Sequence, residues 1–129
     1  MIYVTAKDLK MQLEEDLYKL GLPIERVVLS IRPYSKSYYG RYFPVKSDSE
    51  VKPRVFVYPY KDENCGLYSY DTILETAIHE LVHHLQYTNP NFKRIKGVMH
   101  NEEFWLLYNH YMNIAKTLGL IDWRFSNER

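Results

Sequence analysis

Ile78-His79-Glu80-Leu81-Val82-His83-His84 decides how this chain is read. Two imidazoles four residues apart stack on one side of a helix, about 40° from each other at about 100° per residue. Around them Leu74, Ala77, Ile78, Leu81 and Leu85 form an apolar stripe on the opposite side. The segment therefore predicts a helix from a cap near Asp71 to about Tyr87, ended by Asn89-Pro90-Asn91. One face is buried against the rest of the domain, and His79 and His83 are offered to a cleft.

That pattern has chemical meaning because zinc binds neutral imidazole nitrogens about 2.0–2.1 Å away, and a rigid helix aims two of them at one point. Glu80 lies beside His79, close enough to take a proton from a zinc-bound water without ligating the metal. A third ligand is sought downstream, and His100 stands directly before Asn101-Glu102-Glu103, the start of another helix. Asn101 is a good cap, and the two glutamates sit where the helix dipole favours them. His100 thus ranks first as third ligand, with Glu102 and Glu103 as rivals. His84, about 100° around from His83, is assigned to the surface or to a position behind the ligands. Cys65 is read as a loop cysteine.

The surrounding chain reads as α+β. Thr5 and Asp8 begin a first helix, whose apolar face is Ala6, Leu9, Leu13, Leu17 and Leu20 and whose stop is Gly21. Val27, Leu29 and Ile31 alternate within a strand over 24–32; residues 38–43 form a second strand and 54–58 a third. The sheet is expected to be small, three-stranded and antiparallel. Lys61 to Gly66 is a polar loop, and Ser47-Asp48-Ser49 a polar turn. Phe104, Leu107, Tyr108, Tyr111, Ala115 and Leu118 carry the apolar face of the last helix to Gly119. Ile121, Trp123 and Phe125 are too apolar for a free tail and are expected to pack back on the domain.

A length of 129 residues predicts a single domain over 1–129 with a core that needs no disulfide. The lone cysteine excludes an internal disulfide and any Cys-rich zinc ribbon within this sequence. A net charge of +1 argues against wholesale binding to nucleic acid or anionic membrane while leaving room for a local basic patch. No stretch approaches the roughly 20 apolar residues that span a bilayer, and the N-terminal residues do not read as a signal peptide. A cytoplasmic location with no membrane partner is expected.

The run His79-Glu80-Leu81-Val82-His83, followed by His100-Asn101-Glu102-Glu103-Phe104-Trp105, resembles the SprT-like and WLM (YgjP-like) zinc metallopeptidases. The Gly40-Arg41 pair, in a small sheet ahead of the motif helix, is similar as well. The resemblance implies a minimal gluzincin-like domain that hydrolyses peptide bonds, with His79, His83 and His100 on zinc and Glu80 as general base. The residue after the third histidine, usually Gly or Ser, is here Asn101, and all three cap helices. By analogy an extended peptide or protein substrate would lie along a sheet edge, for which strand 54–58 is the choice.

Candidates for the oxyanion or substrate contact are Tyr108, Tyr111 and His110 on the last helix and Tyr38, Tyr39 and Arg41 on the hairpin. Two alternatives stand beside the peptidase. One is a non-catalytic, zinc-stabilised interaction module. The other is a DNA-associated protease, in which Tyr34, Tyr38, Tyr39 and Tyr42, interleaved with Arg32, Lys36 and Arg41, would grip single-stranded nucleic acid.

Overall fold

The computed structural model describes residues 5–46, 49–91 and 99–125, and in it the chain is α+β, with three α-helices and one three-stranded sheet. Helix α1 spans Ala6–Lys19 and is capped by Thr5, whose side chain accepts the Asp8 N–H at 3.1 Å. Leu9, Leu13 and Leu17 are buried at its expected spacing. Beyond Leu20, Gly21 takes φ +81, and the amides of Gly21 and Leu22 bond back to the carbonyls of Tyr18 and Leu17. That reversal needs the left-handed backbone that glycine adopts at least cost. The same closure ends α3 (Glu102–Thr117), where Gly119 has φ +74 and Gly119 and Leu120 bond to Lys116 and Ala115.

The sheet corrects the sequence expectation. β1 (Val28–Ile31), β2 (Gly40–Phe43) and β3 (Arg54–Val57) lie in the order β1-β3-β2, with β1 parallel to β3 and β2 antiparallel to it. The sheet is therefore mixed. Period-2 alternation identifies a strand and its inner face but says nothing of its direction. Here Pro33, which cannot donate to a ladder, follows β1 closely, and residues 32–39 carry the chain across to the far side of β3. The first strand is also shorter than 24–32, because Ile24–Arg26 form a single turn of 3₁₀ helix.

α1 and α2 (Tyr70–Thr88) pack on one face of the sheet, and α3 packs on α2. Leu29, Val55 and Val57 from the sheet meet Leu9, Leu13 and Leu17 of α1 and Leu74, Ile78 and Leu81 of α2 in one hydrophobic cluster. The apolar face of α3 includes Met112, and Leu118 is exposed. The tail folds back: Ile121 is buried, Phe125 packs on the core, and only Trp123 of the three points outward. The turn expected at Ser47-Asp48-Ser49 and the connection over 91–99 fall largely outside the described residues. No helix among the described residues is long and apolar enough to cross a membrane.

Candidate metal centre

α2 starts two residues earlier than the sequence suggests. Ser69, not Asp71, is the cap, accepting the Thr72 N–H, while Asp71 in the first turn accepts the Asp122 N–H at 3.2 Å and pins the returning tail. The helix is also not half-exposed. The sheet covers one side, α1 a second and α3 a third, so Glu75, Thr76, Glu80 and His84 are buried along with the apolar stripe. A helix so placed can present a polar group only into a gap between its neighbours, and that gap holds His79 and His83.

α3 closes it. Asn101 caps this helix, its side-chain oxygen accepting the Phe104 N–H at 2.9 Å, and this fixes His100 one residue before the cap. The Nε2 atom of His100 lies 3.1 Å from Nε2 of His79 and 3.1 Å from Nε2 of His83. An Nε2 carries at most one hydrogen, so His100 cannot donate to both neighbours, and hydrogen bonding alone does not account for the convergence. A cation does: nitrogens this far apart can both sit about 2.1 Å from one ion at about 95°, an angle that a distorted tetrahedral site accommodates. His79, His83 and His100 form a group that could hold a metal ion, and neither Glu102 nor Glu103 belongs to it.

The three rings share a floor. Phe104, fully buried, stands 4.9, 4.7 and 4.8 Å from the ring centroids of His79, His83 and His100. Trp105, 43% exposed, forms a rim at 5.7 Å from His100 and 6.3 Å from His79. This apolar wall holds the His83 imidazole down at a pKa of about 4, first by desolvation and then by the nearby His100, while a hydrogen bond with Gln86 pulls the other way. Gln86 also donates to Asn101 at 3.4 Å, linking the end of α2 to the cap of α3.

Burial, and then the charge of Arg26, lower the pKa of His84 too. Both histidines bind fewer protons folded than unfolded in the interval below their ordinary value of 6.5. Stability of the protein in chelator should therefore fall as pH drops from about 6.5 toward 4, by roughly 1–2 kcal/mol from His83 after allowance for its partial exposure. Urea midpoints that stay level across that interval would contradict these environments.

Glu80 is 6% exposed and lies against the edge strand. A Cβ placed on Gly40 would come within 2.7 Å of Thr76 Cγ2, 3.0 Å of Glu80 Cγ and 3.2 Å of Glu80 Oε2. Thr76 cannot easily turn aside, since its hydroxyl donates to the Thr72 carbonyl at 2.9 Å. Gly40 is thus what lets β2 close on the carboxylate. Gly40→Ala should cost about 1–3 kcal/mol in denaturant unfolding through overpacking. An unchanged midpoint would mean that β2 shifts freely.

The remaining predicted residues divide clearly. Tyr108 is buried, and its hydroxyl donates to Glu75 Oε1 at 2.7 Å. Glu75 itself is a fully buried carboxylate one turn before His79, and the sequence reading missed it; an acid between Leu74 and Thr76 of a helix this apolar was its one signal. Tyr111 lies two turns beyond Phe104, about 10 Å along the helix axis, against His110. Arg41 is on the wrong side of the sheet: Gly40 and Tyr42 face α2, so Arg41 and Phe43 face away. His84 stands behind the three-histidine group, bonded through Nδ1 to the Tyr42 hydroxyl at 2.9 Å. Cys65 is exposed in the 60–67 loop. Strand 54–58 is not an edge; β3 is central, and the edge beside Glu80 is β2.

No family model matches this chain, and no curated protein or solved structure is significantly similar to it.

Proposed function

We propose that this protein is a zinc-dependent peptidase of the SprT-like kind. The observation that carries the reading is the convergence of His79, His83 and His100 through Nε2, with a nearly buried carboxylate, Glu80, next along the same helix and against an edge strand. Three neutral nitrogens and no thiolate suit zinc, and three protein ligands leave a coordination position open, as in catalytic rather than structural sites. Zinc held there would supply Lewis acidity, polarising a scissile carbonyl and acidifying water.

The chain's own residues supply the remainder. Glu80 takes a proton from the attacking water and returns it to the leaving amine, a role that suits a carboxylate 6% exposed and set against β2 at Gly40. Phe104 and Trp105 keep bulk water from one side of the histidines. An extended peptide would add to the outer edge of β2 by main-chain pairing, which sets its carbonyls beside Glu80.

The competing reading is a zinc-stabilised module without catalysis, which would ordinarily use four protein ligands, and the group here numbers three among the described residues. Purified protein should contain about one zinc per chain. Incubated with a mixed peptide library, it should yield new termini by mass spectrometry, none after chelation, and the same set again when zinc is restored. Zinc-loaded protein that cleaves nothing in the library would end the peptidase reading.

A further inference from the structure

The sheet has a second face that no helix among the described residues covers. α1 and α2 both lie against the face that carries Leu29, Val55 and Val57, and α3 touches only α2. Parallel strand pairs are ordinarily buried on both sides, so an open face next to the parallel β1–β3 pair calls for its own account. The register sets Arg54 opposite Phe43 and Arg41 opposite Phe56, and Tyr58 continues the line of Phe56. Phe43 and Phe56 meet edge to face at 4.7 Å. The guanidinium of Arg41 lies over Phe43 at 4.6 Å and over Tyr38 at 4.4 Å; that of Arg32 lies over Phe56 at 4.9 Å. Arg54 lies 5.2 Å from Phe43 and 5.6 Å from Phe56.

Two features separate this layer from an ordinary solvated face. No Asp or Glu occupies any strand position on it, and among the described residues none of the three arginines takes part in an ion pair. A solvated face of a chain with net charge +1 would be expected to mix signs. The cations here are also all arginine, whose flat guanidinium stacks on rings and still offers its edge to an anion. A second copy of the chain does not fit, because a two-fold contact through this face would bring six guanidinium groups together. The chemistry that does fit is a polyanion carrying flat, unpaired rings.

We propose that this face binds single-stranded nucleic acid, with bases stacking among Phe43, Phe56 and Tyr58 and phosphates taken by Arg32, Arg41 and Arg54. The set differs from the tyrosine-rich hairpin suggested by sequence: Tyr42 faces α2, Tyr39 packs on Tyr68, and Phe43, Arg54, Phe56 and Tyr58 take part instead. The site lies across the sheet from the histidine group and does not depend on the peptidase reading.

Fluorescence anisotropy of a labelled oligothymidylate of about 12 nucleotides, a length within the usual site size, tests it. Binding at low salt should weaken with added salt at a log–log slope near −2, about 0.7 for each of three phosphates. Phe56→Ala should weaken binding roughly 5- to 100-fold through lost stacking. Arg54→Gln, an exposed change that spares the core, should lower the slope by about 0.7. No binding at low salt would overturn the proposal, as would Phe56→Ala and Arg54→Gln proteins that bind as the parent does. Equal displacement by polyglutamate would reduce the interaction to charge alone and overturn the stacking site. So would a dimer in sedimentation that Arg54→Gln dissociates.

Discussion

Glu80→Gln should lower peptide hydrolysis by about 10²- to 10⁴-fold while zinc content stays at one per chain. The substitution keeps the length and shape of the side chain, so it still fits the narrow space against β2 at Gly40. What it removes is the capacity to accept and return a proton. Zinc content should not follow, because the three nitrogens that converge belong to His79, His83 and His100, and Glu80 is not among them. Product counts from the peptide library, read beside metal analysis of the same preparations, check both halves. Undiminished cleavage by the Glu80→Gln protein would assign the activity to another group or to a contaminant. It would leave the histidines as a non-catalytic metal site.

The second large effect concerns His100. His100→Ala should weaken zinc binding by more than the 10- to 100-fold typical of losing an outer-shell partner, since it removes a ligand outright. The ring is exposed, so the metal-free protein should keep its stability to within about 0.5 kcal/mol. Its removal also takes away a charge that lowers the His83 pKa, so His83 should titrate nearer its ordinary value. Competition against a chromophoric chelator gives the affinity, and proton NMR of the imidazoles gives the titration. An unchanged affinity would mean that Glu102, Glu103 or another group ligates in place of His100.

Helix boundaries were legible where the deciding chemistry is local. Thr5 and Asn101 cap because their side chains reach amides three residues on, and Gly21 and Gly119 reverse the chain because a positive φ costs glycine little. Asp71 was mistaken for a cap because Ser69, two residues earlier, offers the same chemistry and no apolar period separates them. His79 and His83 were legible because i, i+4 spacing is a property of the helix itself. His100 was legible because a residue just before a capped helix has a nearly fixed direction.

What the sequence could not supply is what depends on which surfaces meet. Strand alternation picks out Leu29 as an inner residue, as the core shows, yet the parallel pairing of β1 with β3 is set by the path of residues 32–39. That path put β3 in the centre, moved the edge to β2 and turned Arg41 away from the histidines. Glu75 and Tyr108, 33 residues apart, are paired only because α3 settles on α2. The sequence by itself determined the three helices, the caps of α1 and α3 and the spacing of the histidines, because these follow from backbone geometry within a few residues. Only the tertiary structure decided which strand lies beside Glu80, and which sheet face is left to arginine and aromatic rings, because both depend on contacts between segments far apart in the chain.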